Sequence, residues 1–276
     1  MKKAGVVVIF LVILVIGVYG SGNSINTKAV FKLAKSFEVK EAGRYKIASF
    51  NIQTFGQTKI NKTIVKDYLP KIVRNYDIVV IQELRDSSNF TISELVNLLP
   101  EYNILVSPRL GRSNSKEQYV VIYKNSEVFG SEVYPDDSDV FEREPYSFYV
   151  KIGDYDFSLI TIHIKPTDAE NEIRYLKLVI DYFTHHNKDK DFILLGDFNA
   201  DCGYYNENKK VLSQYEWVIS NDQDTTVASS SCTYDRIITN LDYSTGGVFR
   251  FDEAFGLEYE SAKLISDHYP VWISFS

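Results

Sequence analysis

The sequence predicts an α/β fold in which two packed β-sheets are flanked by helices within one domain. Strand and helix patterns alternate from Arg44 to the end of the chain, with no Pro/Gly/Ser-rich linker and no repeat. Several strand patterns are short runs of β-branched residues and leucine that end in polar side chains, as buried central strands do. The 276 residues are 45% hydrophobic and 14% aromatic, which is enough for a large core. Many strands with interspersed helices favour two sheets covered by helices.

The individual elements follow from hydrophobic periodicity. Apolar runs or alternation predict strands in "RYKIASFNI", "DIVVIQE", "SFYVKI", "DFSLITIHI", "DFILLGDFN" and "PVWISFS". Helical spacing of apolar residues predicts helices in "KTIVKDYLPKIVRNY", "TISELVNLL" and "DAENEIRYLKLVIDYFTHH". We expect the last helix to begin with a cap at Thr167 or Asp168.

The first residues have the pattern of a secretory signal. Lys2 and Lys3 precede an unbroken apolar stretch that ends in the small residues "GSG". This stretch is a little short for a membrane span and lies where a cleaved signal peptide lies. We therefore expect a signal peptide over residues 1–20, cleaved near Gly20–Gly22, and a secreted protein without stable membrane association. A retained signal anchor is the alternative. Residues 21–44 then form a polar extension, and residues 45–276 form the domain.

Charge, cysteines and sequons limit the function further. A formal net charge of −7 argues against a protein held to nucleic acid by bulk positive charge, but it is compatible with a nuclease that uses a few arginines and metal ions.

In a secreted chain, Cys202 and Cys232 suggest one disulfide, and closing a loop of about 30 residues would stabilise the fold by roughly 3–4 kcal/mol. Two unrelated buried thiols are the alternative. The sequons at Asn61 and Asn89 are candidate glycosylation sites, although such short motifs also arise by chance.

Polar side chains gather where the predicted strands end. Any one of them alone would be an ordinary turn residue or a hydrogen-bonded core histidine. Their recurrence on several strands points elsewhere, because acceptors at adjacent strand ends meet on one edge of a sheet. These residues are Asn51, Glu83, Arg85, His163, Asp197, Asn199, Asp235, Asp267 and His268.

This set of side chains fits phosphodiester hydrolysis. Carboxylate and amide oxygens suit Mg²⁺ or Mn²⁺, and no Cys/His cluster indicates zinc. One imidazole can take a proton from water while a second donates a proton to the leaving alkoxide. Each histidine would need a carboxylate partner, and Glu117 and Asp235 are candidates. His185 and His186 lie on the polar end of a predicted helix, where we expect surface residues.

Five segments closely resemble the deoxyribonuclease I family, within the endonuclease/exonuclease/phosphatase superfamily. They are "KIASFNIQTFG", "YDIVVIQELRD", "GDFNADC", "CTYDRII" and "ISDHYPV", in the family's order and at similar spacing, and the match spans roughly Arg44 to Ser276. The resemblance implies a four-layered α/β sandwich, with two central mixed β-sheets flanked by helices and the site at the top of the sheets. It also implies a monomeric endonuclease that cleaves duplex DNA and leaves 5′-phosphate ends.

The resemblance further implies roles for individual residues. His163 would pair with Glu117 and His268 with Asp235, one pair acting as general acid and the other as general base in an order left open. The metal and phosphate site would comprise Asn51, Glu83, Asp197, Asn199 and Asp267. The phosphate- and groove-contacting arginines would be Arg85 and Arg143. One structural Ca²⁺ site would use Asp224, Thr226 and Ser230. A second would use Asp137, Asp139, the carbonyl of Phe141, and Glu144.

Three departures from the family pattern change these expectations. The loop "YPDDSDVF" is shortened and lacks the family's extra disulfide, which weakens the case for the second Ca²⁺ site. Ser115 replaces a minor-groove tyrosine, so stacking and sugar contacts with DNA should be weaker. Ile104 and Tyr146 replace a tyrosine and an alanine of the family's actin-binding surface, while Val106 is retained. We expect the bulky Tyr146 to clash, and therefore no actin binding.

Two other function classes deserve comparison. A sphingomyelinase or inositol phosphatase of the same superfamily would share the fold, but the two cysteines and the segments "DTT" and "CTYDRI" favour the deoxyribonuclease branch. An inactive relative that binds actin or DNA would have lost part of its chemistry. Glu117, His163, Asp235 and His268 are all present, which argues against that loss.

Overall fold

A computed structural model describes residues 44–114, 116–187, 190–206, 209 and 211–276. The predicted signal peptide, residues 21–43 of the extension, and Ser115 lie outside the described residues. Within the described part of the chain, no helix combines the length and the apolar character needed to cross a membrane.

The described residues form twelve strands and six α-helices. The strands are β1 (Tyr45–Phe55), β2 (Ile78–Leu84), β3 (Asn103–Val106), β4 (Gln118–Tyr123), β5 (Glu127–Val133), β6 (Tyr146–Ile152), β7 (Tyr155–His163), β8 (Phe192–Asp197), β9 (Glu216–Trp217), β10 (Asp235–Thr239), β11 (Thr245–Val248) and β12 (Val271–Phe275). The helices are α1 (Gln57–Ile60), α2 (Thr63–Val73), α3 (Phe90–Leu98), α4 (Ala169–His186), α5 (Phe251–Phe255) and α6 (Tyr259–Ile265), with a 3₁₀ turn at Pro166–Asp168 before α4.

The strands form two six-stranded mixed sheets. The first has the order β11-β12-β1-β2-β4-β3, and the second has the order β5-β6-β7-β8-β10-β9. Each sheet contains one central parallel pair, β1 with β2 and β7 with β8. The other neighbouring strands are antiparallel. The parallel pairs set the direction of both sheets, so the carboxyl ends of β1 and β2 share an edge, as do those of β7 and β8.

The central strands have apolar side chains on both faces because both faces are covered. On β2, Val80 belongs to the cluster between the two sheets, whereas its neighbour Val79 packs toward helices on the outer face. In the second sheet, Leu195 faces the inner cluster and Leu194 packs outward. Alternation with period two therefore feeds two different cores from one apolar run.

Helices close both outer faces of the sheets. α2, α3, α5 and α6 contribute buried side chains to the outer cluster of the first sheet, and α4 covers the second sheet. On α4 the buried positions include Ile173, Leu176 and Ile180, which recur at helical spacing. The result is helices, sheet, sheet and helix in four layers, which confirms the predicted α/β sandwich with two central mixed sheets.

The predicted elements are present, and the differences lie at their ends and in strands that were not predicted. All six predicted strands and all three predicted helices form. The cap of α4 differs from expectation: Asp168 is the N-cap residue, but its side chain does not cap the helix backbone. Instead the chain enters α4 through the 3₁₀ turn at Pro166–Asp168. β3, β4, β5, β9, β10 and β11 were not predicted. Most of them are short, and β5 is largely exposed, so their residues carry little periodic signal.

Candidate active site

The topology places the polar strand ends on one edge of the sandwich. Asn51 and Glu83 lie near the carboxyl ends of the parallel strands β1 and β2, and His163 and Asp197 end the parallel strands β7 and β8. β10 is antiparallel to β8, so its first residue, Asp235, lies opposite Asp197. Asp267 and His268 precede β12, which runs antiparallel to β1. Strand direction alone thus brings together residues up to 217 positions apart, from Asn51 to His268.

Gly196 permits the close contact between β7 and β8. Its φ is +148°, and a Cβ at this position would lie 1.9 Å from the carbonyl oxygen of Ile162. A side chain there would force the strands apart. With glycine, His163 and Asp197 are paired neighbours in the parallel register. The glycine in "LLGDFN" therefore aligns an imidazole with a carboxylate.

Two irregular strand ends aim Glu83 into the site. The β1–β2 register shifts between Asn51 and Phe55, and the β2–β4 register shifts between Ile81 and Leu84. Thr54 and Glu83 both have positive φ, 51° and 66°. The backbone N–H of Thr54 donates to Oε2 of Glu83 at 2.7 Å. Bulges and left-handed residues redirect side chains at functional edges, and here they fix the Glu83 carboxylate beside Asn51.

Glu117 and His163 form the first histidine–carboxylate pair. Nδ1 of His163 lies 2.7 Å from Oε2 of Glu117, and both side chains are buried. The hydroxyl of Tyr119 accepts a hydrogen bond from the backbone N–H of His163 at 3.0 Å. Nη2 of Arg85 lies 2.9 Å from Oε1 of Glu117, and Nε of Arg143 lies 3.0 Å from Oε2. Glu117 is thus held between one imidazole and two guanidinium groups.

Asp235 and His268 form the second pair. Nδ1 of His268 lies 2.8 Å from Oδ2 of Asp235. The hydroxyl of Thr225 accepts the backbone N–H of Asp235 at 3.2 Å, and the hydroxyl of Ser266 accepts the backbone N–H of His268 at 3.1 Å. Asp235 is fully buried. Backbone and hydroxyl groups position this pair where arginines position the first.

The two imidazoles converge on Asp197. Nε2 of His163 and Nε2 of His268 lie 3.6 and 3.7 Å from the same atom, Oδ2 of Asp197. That oxygen also accepts a hydrogen bond from Nδ2 of Asn51 at 2.9 Å. In each pair the Nδ1 atom faces the partner carboxylate, so both Nε2 atoms are left to face one centre. The two Nε2 atoms could therefore exchange protons with a substrate group bound between them, one on each side.

The surroundings shift the pKa values of the first pair. Burial alone would raise the pKa of Glu117, but the hydrogen bond with His163 and the charges of Arg143 and Arg85 outweigh burial, so the pKa lies below its ordinary value. Burial would lower the pKa of His163, and Arg143 acts in the same direction. The hydrogen bond to Glu117 and the charge of Asp197 reverse this, and the pKa of His163 is raised.

The second pair lies in acidic surroundings. Burial opposes the charged imidazolium of His268, but Asp235, Asp197 and Asp267 together raise its pKa to about 10. Burial also raises the pKa of Asp235, with Asp197 acting in the same direction and His268 against it. Both shifts mean that the Asp235–His268 pair binds its proton tightly.

The oxygen atoms around Asn51 fit a hard divalent cation. Oδ1 of Asn51 and Oδ1 of Asp267 are hidden from solvent and have no hydrogen-bond partner among the described residues. Nδ2 of Asn51 donates to Oε1 of Glu83 at 3.2 Å, so the amide oxygen sits within the same acidic cluster. Orphaned buried acceptors beside carboxylates are what Mg²⁺ or Mn²⁺ binds. Asn199 stands beside them, its backbone N–H donating to Oδ1 of Asp197 at 3.0 Å.

A second grouping of potential ligands overlaps the acid–base pair. Ligand atoms of Asp197, Asp235 and His268 lie within 4.8 Å of one another. Asp235 and His268 are hydrogen-bonded to each other through Oδ2 and Nδ1, which makes them an acid–base pair, whereas Oδ1 of Asp235 has no hydrogen-bond partner among the described residues. The oxygens near Asn51 and Glu83 form the other candidate cation site, and Asp197 is common to both groups.

The disulfide and the first predicted Ca²⁺ loop lie beside the second pair. Cys202 and Cys232 are bonded, with Cα atoms 5.9 Å apart, which confirms the predicted disulfide. Oδ1 of Asp224 accepts the backbone N–H and the hydroxyl of Thr226, both at 2.9 Å. The Thr226 hydroxyl also lies 3.0 Å from the carbonyl of Ser230. The structure thus brings the three predicted ligands together in one turn.

The second predicted Ca²⁺ loop is organised differently. The Asp139 carboxylate pairs with Arg112 at 3.4 Å, and Oε2 of Glu144 accepts the backbone N–H of Gly111 at 3.3 Å. Asp137 is exposed, and the backbone N–H of Phe141 binds Asp136. Asp139 and Glu144 therefore bind the neighbouring 111–112 segment, and the structure does not gather the four predicted ligands around one point.

Other predicted residues occupy distinct places. Arg143 is 9% exposed, and its Nη1 donates to the carbonyl of His163 at 3.1 Å, so it supports the first pair directly.

Asn61 and Asn89 are exposed, as glycosylation requires. The expected steric clash of Tyr146 with actin stays a prediction, but the structure leaves little of this side chain exposed. Tyr146 is 5% exposed, packs between the sheets, and hydrogen-bonds Ser131, so it does not project toward a partner.

Sequence reasoning missed several supporting side chains. Gln53 donates to Oδ2 of Asp267 at 2.6 Å, and the Ser266 hydroxyl donates to the carbonyl of Asn51 at 2.7 Å. Tyr119 and Thr225 fix the backbones of the two acid–base pairs. A polar residue two positions from a candidate ligand was the only available signal, and it is too common to single these residues out.

The sequence is similar to known proteins over most of its length. The sequence fits the Endonuclease/Exonuclease/phosphatase family over residues 48–268. It is 36% identical over 262 residues to deoxyribonuclease-1 of Bos taurus, covering 83% of this chain and 91% of that protein. The chain belongs to the deoxyribonuclease I family. Identity to the Homo sapiens family member deoxyribonuclease-1-like 1 is 38% over 255 residues, covering 83% and 84%. Identity to Homo sapiens deoxyribonuclease-1 is 34% over 271 residues, covering 87% and 95%.

Solved structures confirm the fold of this family member. A humanised TDP2 from D. rerio superimposes with a TM-score of 0.62 at 16% identity, covering 84% of this chain and 98% of that one. An endonuclease/exonuclease/phosphatase protein from Bacteroides vulgatus superimposes with a TM-score of 0.60 at 16% identity, covering 83% and 97%. Both share the architecture of two packed sheets, and at this identity the likeness concerns the fold alone.

Proposed function

We propose that the protein is a secreted, divalent-cation-dependent endonuclease that hydrolyses phosphodiester bonds of duplex DNA and leaves 5′-phosphate ends. The observation that carries this proposal is the convergence of two imidazole Nε2 atoms on Oδ2 of Asp197, at 3.6 and 3.7 Å. Each imidazole has its Nδ1 held by a buried carboxylate. Family membership supports DNA as the substrate, since the curated relatives are named deoxyribonucleases.

In this mechanism the two histidines act on opposite sides of the scissile phosphate. One Nε2 accepts a proton from the attacking water as the new P–O bond forms. The other donates a proton to the departing 3′ oxygen as the old P–O bond breaks, so charge does not accumulate on either oxygen. Glu117 and Asp235 hold the Nδ1 protons and thereby fix which ring nitrogen faces the substrate.

The oxygen cluster and the arginines stabilise the anionic substrate. Asn51, Glu83, Asp197, Asn199 and Asp267 would hold Mg²⁺ or Mn²⁺. When bound, that ion would neutralise charge on the phosphate and on the departing oxygen. Arg85, whose side chain is 34% exposed, is the cation placed to contact a phosphate. Arg143 is nearly buried and acts through Glu117 and His163.

Further expectations accompany this function. Ca²⁺ would stabilise the loop of Asp224, Thr226 and Ser230, where three predicted ligands meet within one turn. The site of Asp137, Asp139, Phe141 and Glu144 would bind Ca²⁺ only if the Arg112–Asp139 pair opened. A monomer without stable membrane association, glycans at Asn61 and Asn89, and absence of actin binding complete the proposal. For actin, the replacement at Ile104 is the remaining argument.

Plasmid nicking by the secreted protein tests the function. Supercoiled plasmid is incubated with Mg²⁺ and Ca²⁺, and then with both ions chelated. We expect conversion to nicked circles with ions and none after chelation, and 5′-phosphate at the new ends by kinase labelling before and after phosphatase treatment. A folded, disulfide-bonded sample that leaves the plasmid intact would overturn the proposal, and phospholipid phosphodiesters would be tested next.

A matched histidine pair controls for general effects of substitution. His185 lies on the last turn of α4, where its ring contacts His186, and among the described residues no hydrogen bond or ion pair joins it to the site. His185→Ala should nick plasmid as the wild type does, whereas His163→Ala should not. Equal loss in both variants would show that the assay reports folding or secretion and not the chemistry.

A further inference from the structure

The hydrogen-bonded pairs of the candidate active site each join the first sheet to the second. In each pair one residue lies on, or leads into, a strand of the first sheet, and the other belongs to a strand of the second sheet. The pairs, with the residue of the first sheet named first, are Glu117 with His163, His268 with Asp235, and Asn51 with Asp197. The position of one sheet relative to the other therefore sets the distance in every pair. A displacement of about 1 Å at reacting groups can slow a reaction about 10²-fold.

The apolar layer between the sheets does little to fix that position. Its side chains include Val80 on β2 and Leu159 on β7, which are fully buried. Burial of apolar surface is favourable but non-directional. It therefore favours contact between the sheets more strongly than it favours any one alignment of them.

Three polar side chains interrupt this layer and form what we call the polar bridge: Ser49, Gln82 and Thr161. All three are 0% exposed. Gln82 and Thr161 lie two positions beyond Val80 and Leu159, so the period of a strand places them on the same inner faces. The polar bridge therefore lies in the space between the sheets.

Gln82 connects the two sheets through hydrogen bonds. Its Nε2 donates to Oγ1 of Thr161 on β7 and to Oγ of Ser49 on β1, both at 3.1 Å. The Ser49 hydroxyl also lies 3.3 Å from Oε1 of Gln82, to which it can donate. Ser49 and Thr161 in turn lie two positions before Asn51 and His163, on the same strand faces. The polar bridge thus lies directly beneath site residues of both sheets.

Stability alone does not account for the polar bridge. Replacing buried hydrogen-bonded groups by apolar groups of similar shape can leave a protein equally stable or make it more stable. Hydrogen bonds differ from apolar contacts in having a preferred distance and direction. A hydrogen bond between two packed sheets can therefore select one alignment among several that bury the same apolar surface.

We propose that Gln82 is a positioning residue whose amide fixes the alignment of the two sheets and thereby sets the distances in the inter-sheet pairs of the active site. In this role Gln82 does not contact the substrate and acts only through Ser49 and Thr161. The inference rests on the proposed function in taking those pairs as the groups that cleave DNA.

Two substitutions of Thr161 test this role in the intact, disulfide-bonded protein. Thr161→Val keeps the shape of the side chain and removes the hydroxyl that Gln82 binds, whereas Thr161→Ser keeps the hydroxyl. Initial rates of nicking over a range of plasmid concentrations should show kcat about ten-fold lower in Thr161→Val, with KM within about two-fold, because alignment is lost and not DNA contact. Thr161→Ser should keep kcat within about two-fold of the wild type. Equal losses of kcat in the two variants would overturn the inference.

Thr239→Val is the matched control for the loss of a buried hydroxyl. Thr239 is also fully buried in the second sheet, and its hydroxyl donates to the carbonyl of Phe192 on the neighbouring strand at 2.6 Å. That hydrogen bond lies within one sheet, at the other end of β10 from Asp235. Thr239→Val should therefore lower stability and leave kcat unchanged. A loss of kcat as large as that of Thr161→Val would contradict a specific role for the polar bridge.

An apolar replacement of the whole polar bridge separates alignment from stability. The triple variant Ser49→Ala, Gln82→Met and Thr161→Val leaves no buried polar group of the bridge without a partner. Its urea unfolding midpoint should equal or exceed that of the wild type, while kcat should fall by about 10–100-fold. Wild-type kcat in the folded triple variant would overturn the inference. If the triple variant does not fold, the two Thr161 variants decide.

Proton NMR reports the alignment without DNA. The Nδ1 protons that His163 and His268 share with their carboxylates give downfield signals whose positions depend on the length of each hydrogen bond. Thr161→Val should shift or broaden these signals, and Thr239→Val should not. If the signals move only in Thr161→Val and the wild type does not nick plasmid, the role of Gln82 stands and the proposed function fails. If the wild type nicks plasmid and folded Thr161→Val keeps both its signals and its kcat, the role of Gln82 fails and the function stands.

Discussion

Glu117–His163 and Asp235–His268 match in geometry but differ in what surrounds the carboxylate. The Nδ1–oxygen distances are 2.7 and 2.8 Å, and both Nε2 atoms face Asp197. Arg85 and Arg143 lie within 3.0 Å of Glu117, whereas the described residues place no arginine in an ion pair with Asp235. Asp197 and Asp267 surround the second pair instead.

This difference shows how one fold can give two similar pairs unlike proton affinities. Both arginines favour ionised Glu117, and Arg143 also opposes a charge on His163, whereas the aspartates favour the imidazolium of His268. A cation bound near Asp197 would oppose the aspartates, because its charge acts on the same atoms. Such a cation would lower the proton affinity of both imidazoles, since Asp197 raises the pKa of His163 and of His268.

Removing either imidazole should have the largest effect. His163→Ala and His268→Ala should each lower the rate of plasmid cleavage by about 10²–10⁴-fold, because each removes one of two proton transfers. The double variant should lose less than the product of the two single losses, since the groups act as a unit. Initial rates of nicking with folded, disulfide-bonded samples provide the measurement. Near-normal activity in either single variant would contradict the assignment.

Loss of the disulfide should have the second-largest effect. It should affect the Asp235–His268 pair more than the Glu117–His163 pair, because the bond closes the chain segment beside the former. Replacing Cys202 and Cys232 by serine should lower the free energy of unfolding by roughly 3–4 kcal/mol, the chain-entropy value for a loop of about 30 residues. Hydrogen exchange should rise first around Thr225, whose hydroxyl supports Asp235, and not around Tyr119. Urea unfolding and exchange on the same samples test both parts. An unchanged unfolding midpoint with the bond absent would contradict the expectation.

Replacing Glu117 or Asp235 by its neutral amide tests how much the groups around each carboxylate contribute to stability. Glu117→Gln leaves Arg143 buried without its carboxylate partner and should cost about 3 kcal/mol of unfolding free energy. Asp235→Asn removes one carboxylate from acidic surroundings and should cost distinctly less. Urea denaturation of both variants in chelator measures the contrast. Equal losses would show that the arginines do not distinguish the first pair.

The smallest expected effect is a pH dependence of the free energy of unfolding that comes from Glu172, a buried residue near Arg143 of the first pair. Glu172 is fully buried, and its Oε1 accepts the backbone N–H of Glu142 at 3.2 Å, next to Arg143. Burial raises the pKa of Glu172 to about 7. The folded state therefore holds its proton to higher pH than the unfolded state does. The contribution to stability is full below the unfolded pKa and is lost as pH rises through about 7.

Comparison with Glu172→Gln separates the titration of Glu172 from that of the other ionisable groups. The stability of the wild type relative to Glu172→Gln should fall by about 2–3 kcal/mol between about pH 5 and pH 8. Urea unfolding at the two pH values gives the four required free energies. A constant difference between the two proteins would show that Glu172 does not carry the shift.

Much of the fold and the first layer of the site could be predicted from the sequence. The runs around Val79 and Leu194 predicted buried central strands, and polar residues at the ends of those runs predicted a common edge. The pairing of His163 with Glu117 and of His268 with Asp235 was reached as a candidate from the chemistry and was then specified by family resemblance. Short edge strands such as β9 and the entry into α4 were not predicted, because few residues encode them locally.

The sequence by itself determined where the strongly apolar strands form, because hydrophobic periodicity is a local property, and which residue types stand at their ends. Only the tertiary structure decided which charges meet. Arg143 supports Glu117, both imidazoles face Asp197, and Tyr146 packs into the core between the sheets. These contacts join residues far apart in the chain, so their energies depend on how the sheets and helices pack and not on any local pattern.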